Sequence, residues 1–358
     1  MQSTKTSQLW SELVSLGTFR KTKDAVEGAK AMSVHSTSIP FFAFVLAQIL
    51  KSSDGGLLLV VDDPDVSERL QSDFTVFSGS APVELTGEDA AGTDSSAFGP
   101  NLAGLFDFYS GKKNLYISDY ATIFRKMPDQ AALQSNAVII QTHSDLDHDA
   151  LIGKLPKYGY QRKDYVEEVG DFAVRGSIVD VFPDSGENPI RIDFFGDNVD
   201  SIRVFDSVTQ RSIQSIGSFT LLPFASSGKD TSPFSDQIPE GTRIVFHEPS
   251  AVPAELSGDF GKLTKKIADK TRLVYWKTLE RKEDEPTVNV IPQPTFGGRI
   301  QLAANKIADL FSDGYKIVVA ASTKHLEDNF LNLLNEYDDL NGTMLKQEVR
   351  LVQASFSG

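Results

Sequence analysis

Cysteine is absent from the 358 residues. That excludes a disulfide framework, a thiolate metal site and a thiol nucleophile, and it fits a cytoplasmic chain. Histidine is scarce, with five in all. No GxSxG elbow or spaced nucleophile–base pair accompanies them, so nucleophilic catalysis has no visible machinery. Positive charge is in deficit: 35 Lys and Arg against 49 Asp and Glu give a net charge of −14. Such a surface is repelled by DNA phosphates and points to protein partners. Long apolar runs are also missing. The most apolar stretch, 39–50, is too short to span a bilayer, and 1–22 lacks the apolar segment of a signal peptide. The rest is ordinary globular composition, 40% hydrophobic and 23% charged, which supports folded domains rather than a disordered chain.

The length suits two or three units. Leu9, Trp10, Leu13, Val14 and Leu16 have helical spacing within 7–16. A short strand at 31–34 and a polar turn at 35–38 lead into an apolar helix, with Ser38 as its N-cap and Pro40 in its first turn. Residues 57–61 (LLLVV) read as a buried parallel strand, followed by a helix from Asp65. Residues 79–101 read as a Ser- and Gly-rich loop, and 114–118 and 137–141 as further strands. Beyond Tyr158 the texture changes to antiparallel: 172–182 and 190–195 alternate, separated by a turn at 183–188, and a third strand at 199–205 follows. Strands at 243–246 and 271–275, with a basic helix at 261–270, return to α/β style, and 278–294 reads as a connector. A helix ending at Gly314, a strand at 316–321 and a helix at 324–335 begin another unit, which reads as truncated. The expected architecture is an open α/β domain (1–128 and 222–296) with a small antiparallel α+β domain inserted at 129–221, then the start of a further α/β domain at 297–358.

Four chemistries come into question. Leu57 to Asp63 has the shape of a Walker B strand, yet the segment that should cradle phosphates reads Val34-His35-Ser36-Thr37-Ser38-Ile39-Pro40, with neither glycine nor lysine. His143, Asp145, Asp147, His148 and Asp149 could ligate a cation, but a helix cap at Asp145 or Asp147 explains them more simply. The adjacent pairs Asp62-Asp63 and Glu167-Glu168 diverge on any regular backbone and read as solvated charge. In the antiparallel module, Phe172, Val174, Ile178 and Phe182 alternate onto one face, and Ala173, Arg175 and Ser177 onto the other. Arg191 and Asp193 join that second face, and Arg162 enters just upstream. The pattern reads equally as a polar docking surface or as an intradomain pair of Arg175 with Asp193.

The run GYQRKDYVEEVGDFAVRGSIVDVFPDSGENPIRIDFFGDNVDSIRVFDSVTQRSI, 159–213, is similar to the segment shared by the excinuclease protein UvrB and the transcription-repair coupling factors. The carriers are a GY-x-R start, G-[DE]-F-x-V-R-G, a D-x-F-P turn, R-[IV]-[DE]-F-F and S-I-R-x-F-D-x-x-T-Q-x-S. UvrB needs an intact Walker A loop, whereas VHSTSIP resembles the catalytically dead N-terminal copy in the coupling factors. The resemblance implies no cofactor and no catalysis here. It implies recruitment of the damage-recognition protein UvrA in nucleotide excision repair, through Arg162, Phe172, Arg175, Arg191 and Asp193. Ala173 departs from the arginine common in UvrB. RNA polymerase and double-stranded DNA would be bound by other domains, and the docking face would be masked by an intramolecular partner. The alternatives are an ATP-dependent damage-recognition protein of the UvrB type and a structural or autoinhibitory lid.

Overall fold

The computed structural model describes residues 20, 31–36, 38–85, 101–183, 188–223, 231–268, 271–278, 296, 299–315, 317–321, 323–341 and 349–353. The helix expected at 7–16, most of the loop at 79–101 and nearly all of the connector at 278–294 lie outside them.

The first strands and helices are β1 (Ala31–His35), α1 (Ile39–Ser52), β2 (Leu57–Val60), α2 (Pro64–Ser78), β3 (Val83–Glu84), α3 (Leu102–Tyr109) and β4 (Leu115–Ser118). Helix starts follow local chemistry. The Ser38 hydroxyl accepts the Phe41 N–H at 3.3 Å, and the Asp63 carboxylate accepts those of Asp65 and Val66 at 3.0 and 3.2 Å. Gly79, at φ 80, ends α2 in the left-handed conformation. The next elements are α4 (Tyr120–Phe124), β5 (Lys126–Pro128), α5 (Gln130–Asn136), β6 (Val138–Gln141), α6 (His148–Lys154), β7 (Gln161–Arg162), β8 (Asp171–Arg175), β9 (Ile178–Val181), β10 (Ile190–Phe195), β11 (Asn198–Phe205), β12 (Ser212–Ile216), β13 (Ser218–Leu221) and β14 (Thr231–Pro233). The chain then forms β15 (Arg243–His247), α7 (Ser257–Ile267), β16 (Leu273–Lys277), α8 (Ile300–Ser312), β17 (Val318–Ala321), α9 (Lys324–Asn341) and β18 (Arg350–Gln353).

One sheet is parallel throughout, in the order β1-β16-β15-β2-β4-β3. Strands β15 and β16, more than a hundred residues beyond β4 in the chain, lie inside it between β1 and β2, so the antiparallel segment is an excursion from a single α/β unit. Strand β2 is buried on both faces, Leu57 and Leu59 in one apolar cluster and Leu58 and Val60 in the other. This is why it reads as a continuous apolar run instead of an alternating one. Each such side chain contributes about 1.5–3 kcal/mol by burial.

The second sheet runs β12-β11-β10-β9-β8-β7 and is antiparallel except for the short β7–β8 pair. Strand β6, expected only as a strand, pairs antiparallel with β13, and β5 with β14. The two ribbons tie the incoming and outgoing chain together at the base of the excursion. The single strand expected at 172–182 is in fact a hairpin, β8–β9, with Gly176-Ser177 as its loop and Gly176 at φ 60. A two-residue hairpin loop needs a positive φ that glycine supplies without strain. The turn reverses the parity of the residues beyond it. Val179 and Val181 join Phe172 in the core, and Phe182 moves to the arginine side beside Ala173. In the last unit β17 and β18 pair in parallel, and no expected strand corresponds to β18.

Candidate docking face

On the sheet face opposite the β8–β11 core, pairing registers align Arg175, Ile178, Asp193 and Ser201 in one row across four strands. The neighbouring row holds Ala173, Asp180, Arg191 and Arg203. Asp180 is fully buried and is the hub. It accepts Arg175 Nη2 at 2.5 Å and the Arg191 fork, Nε at 2.7 Å and Nη2 at 2.8 Å. Asp193 accepts Arg203 Nη2 and the Ser201 hydroxyl, the latter at 3.0 Å. The guanidinium of Arg191 stacks 4.4 Å from the Phe205 ring centroid, and that of Arg175 lies 5.1 Å from Tyr165. Hydrogen bonds to Asp180 hold Arg191 above the usual arginine range, against partial desolvation, with the Asp180 and Asp193 charges adding to the effect. The five charges therefore alternate in sign across the sheet, Arg175, Asp180, Arg191, Asp193, Arg203.

Of the residues singled out in the sequence, Arg175, Arg191 and Asp193 share this face. The intradomain pairing expected of Arg175 with Asp193 is replaced by Arg175–Asp180 and Arg203–Asp193. Arg162 stands in register with Phe172 on the edge strand and is exposed, so alternation puts it on Phe172's side rather than Arg175's. Phe172 is not at the edge of the face: it is 1% exposed and packs in the core with Val179 and Val181. Sequence reasoning did not single out Asp180 or Arg203. The D-x-F-P and S-I-R-x-F-D motifs contain them, and reading Gly176-Ser177 as a turn would have put Asp180 beside the arginines.

The C-terminal edge of the parallel sheet is where an α/β fold of this kind takes a ligand. Here the Ser36 carbonyl accepts Trp276 Nε1–H at 3.1 Å, and Phe42 stacks on Trp276 with centroids 3.9 Å apart. The Asp62 carboxylate accepts the Tyr120 N–H at 2.8 Å, and Asp63 caps α2. Burial pushes Asp62 up from the carboxylate range, the Tyr120 N–H pulls it back, and the Asp119 charge pushes it up again. Of the acidic run expected as a cap or metal site, Asp147 caps α6 by accepting the Ala150 N–H at 2.8 Å, and Asp145 accepts Asn198 Nδ2 at 3.2 Å. The N–H groups of Glu167 and Glu168 both donate to Asp171, at 3.3 and 3.1 Å.

His247, 7% exposed at the end of β15, is pushed below its ordinary value of 6.5 by burial, with Glu248 and Asp63 opposing. In the unfolded chain it takes a proton near 6.5 that the folded site resists, so its contribution to stability is complete above that pH and is lost as pH falls below it. The expected result is that urea midpoints decline as pH falls from about 6.5 to about 5 and that His247→Gln flattens this slope. An unchanged slope in the variant would contradict the assignment.

Residues 138–226 match the family model described as the UvrB interaction domain. The match is to this segment of the chain. It contains the antiparallel sheet and the base ribbon β6–β13. The chain is also similar to transcription-repair-coupling factors: 29% identical over 188 residues to that of Escherichia coli strain K12, covering 51% of this chain and 16% of the relative. To that of Myxococcus xanthus it is 30% identical over 192 residues, covering 50% and 16%. To that of Bacillus subtilis strain 168 it is 38% identical over 114 residues, covering 32% and 10%. The aligned part is thus a small fraction of these relatives' length. Among the described residues no helix is long and apolar enough to cross a membrane.

Proposed function

We propose that this chain is the UvrB-like module of a transcription-repair coupling factor and that its inserted domain, 129–221, recruits UvrA in nucleotide excision repair. The supporting observation is the UvrB interaction domain match over the segment whose sheet presents the alternating Arg/Asp face. An arginine fork is suited to carboxylates at an interface, and its desolvation there makes each pair count for more than on an open surface. Arg175, Arg191 and Asp193 form this surface, and Phe172 supports it from beneath. The chain itself performs no catalysis: VHSTSIP lacks the glycine and lysine of a phosphate loop, and Asp62 and Asp63 are engaged by Tyr120 and α2. RNA polymerase and DNA are engaged by other domains of the longer protein, whose C-terminal region masks the face until it is released.

The test is calorimetric titration of this chain with UvrA, beside the Arg175→Ala variant. The expected result is specific binding by the parent chain and at least roughly tenfold weaker binding by the variant, whose folding is retained because Arg175 is substantially exposed. No heat of binding by a folded parent chain would overturn the reading.

A further inference from the structure

The alternating network is built differently at its ends and in its middle. Its three inner charges are shielded, with side-chain exposures of 0% for Asp180, 17% for Arg191 and 19% for Asp193. Its two ends are both arginines and both open, at 40% for Arg175 and 36% for Arg203. Arg191 has its Nε and one terminal nitrogen committed to Asp180 and its face laid on Phe205. Arg175 and Arg203 each give one terminal nitrogen, Nη2, to their carboxylate. Arg203 Nε is buried with no acceptor among the described residues, so a partner can reach only its terminal nitrogens.

From this we infer that Arg203 is a second contact residue of the docking face, and that Arg175 and Arg203 together take two carboxylates of an acidic partner surface, with Asp180, Arg191 and Asp193 as positioning residues. This rests on the docking reading above and names the chemistry of the partner patch. The two arginines lie on β8 and β11, three strand spacings apart and in adjacent rows, so the partner carboxylates are separated by about 16 Å. Each guanidinium is held from its protein side by one carboxylate and keeps further N–H donors for a second, the bidentate geometry that lysine cannot offer. The face sums to three positive and two negative charges on a chain whose net charge is −14, so it is locally inverted against the protein's own field. An acidic patch is therefore drawn to this face and repelled elsewhere.

The experiment compares the parent chain with Arg203→Ala and Arg203→Lys in titrations with UvrA, with thermal unfolding measured alongside. Lysine at 203 keeps the charge beside Asp193 and the fold, but has no fork. At least roughly tenfold weaker binding for Arg203→Ala and about fivefold for Arg203→Lys, both folded as the parent, are the expected results. Weakening by Arg175→Ala with parent-like binding by both Arg203 variants overturns the inference and leaves the docking reading intact. Absence of binding by the parent chain instead removes the docking reading itself.

Discussion

Trp276→Ala lowers the stability of the α/β unit by about 3–5 kcal/mol, the range for truncating a large buried aromatic. Trp276 is 2% exposed and is among the largest buried side chains. It stacks on Phe42, tilts against Phe41 at 6.3 Å, and donates its Nε1–H to the Ser36 carbonyl. The indole thus joins β16 to the β1–α1 turn, elements 240 residues apart in the chain. Alanine there leaves a cavity in the core packed by α1 and removes the donor to a buried carbonyl, two losses that act in the same direction. Urea unfolding followed by backbone circular dichroism checks it, the signal of Trp276 being lost with the residue. Trp276→Phe, which keeps the ring stack but not the hydrogen bond, falls between parent and alanine. A loss under about 1 kcal/mol for alanine would mean that the turn is not held by this residue.

Arg191→Ala destabilises the antiparallel unit by about 3 kcal/mol, whereas Arg175→Ala costs about 1 kcal/mol or less. Both residues bind Asp180, so a simple count of ion pairs predicts equal effects. Burial separates them. Removing Arg191 strips a fully buried carboxylate of its bidentate partner and uncovers the Phe205 ring, while the Arg175 side chain is 40% exposed and its pair is screened by water. Leaving a buried charge under-compensated is the costly event. Asp180→Asn/Arg191→Met, in which charge and partner go together, recovers most of the loss. Denaturant melts of the three variants decide the matter. Equal losses for the two single arginine variants would show that the hub is less buried than its geometry implies.

The parts of this fold that are legible in the sequence are those in which one periodicity runs without interruption. LLLVV reads as a strand buried on both faces, and Ser38 with Pro40 set the start of α1 within a residue. The alternation at 190–195 likewise assigns β10 its faces. Two kinds of feature are not legible. The pairing of β6 with β13 and the interior place of β15 and β16 depend on contacts between segments far apart in the chain, which no local window carries. The second failure is local. Gly176-Ser177 is a turn of the commonest hairpin length, but apolar residues on both sides let it pass as strand interior. That error puts Phe182 and Ile178 on the wrong face and conceals Asp180, the residue around which the candidate site is organised. The motif resemblance points to the right segment; only the register shows which arginines are struts and which are open.

The central claim is that the inserted domain takes the place of UvrB on UvrA, and competition tests it most directly. UvrA is held on a sensor surface, this chain is bound to it, and UvrB is added at increasing concentration. The account predicts that UvrB displaces the chain with a midpoint that rises in proportion to the chain's own concentration, as for one shared site. A ternary complex in which both bind UvrA at once, each at its unperturbed affinity, would contradict it.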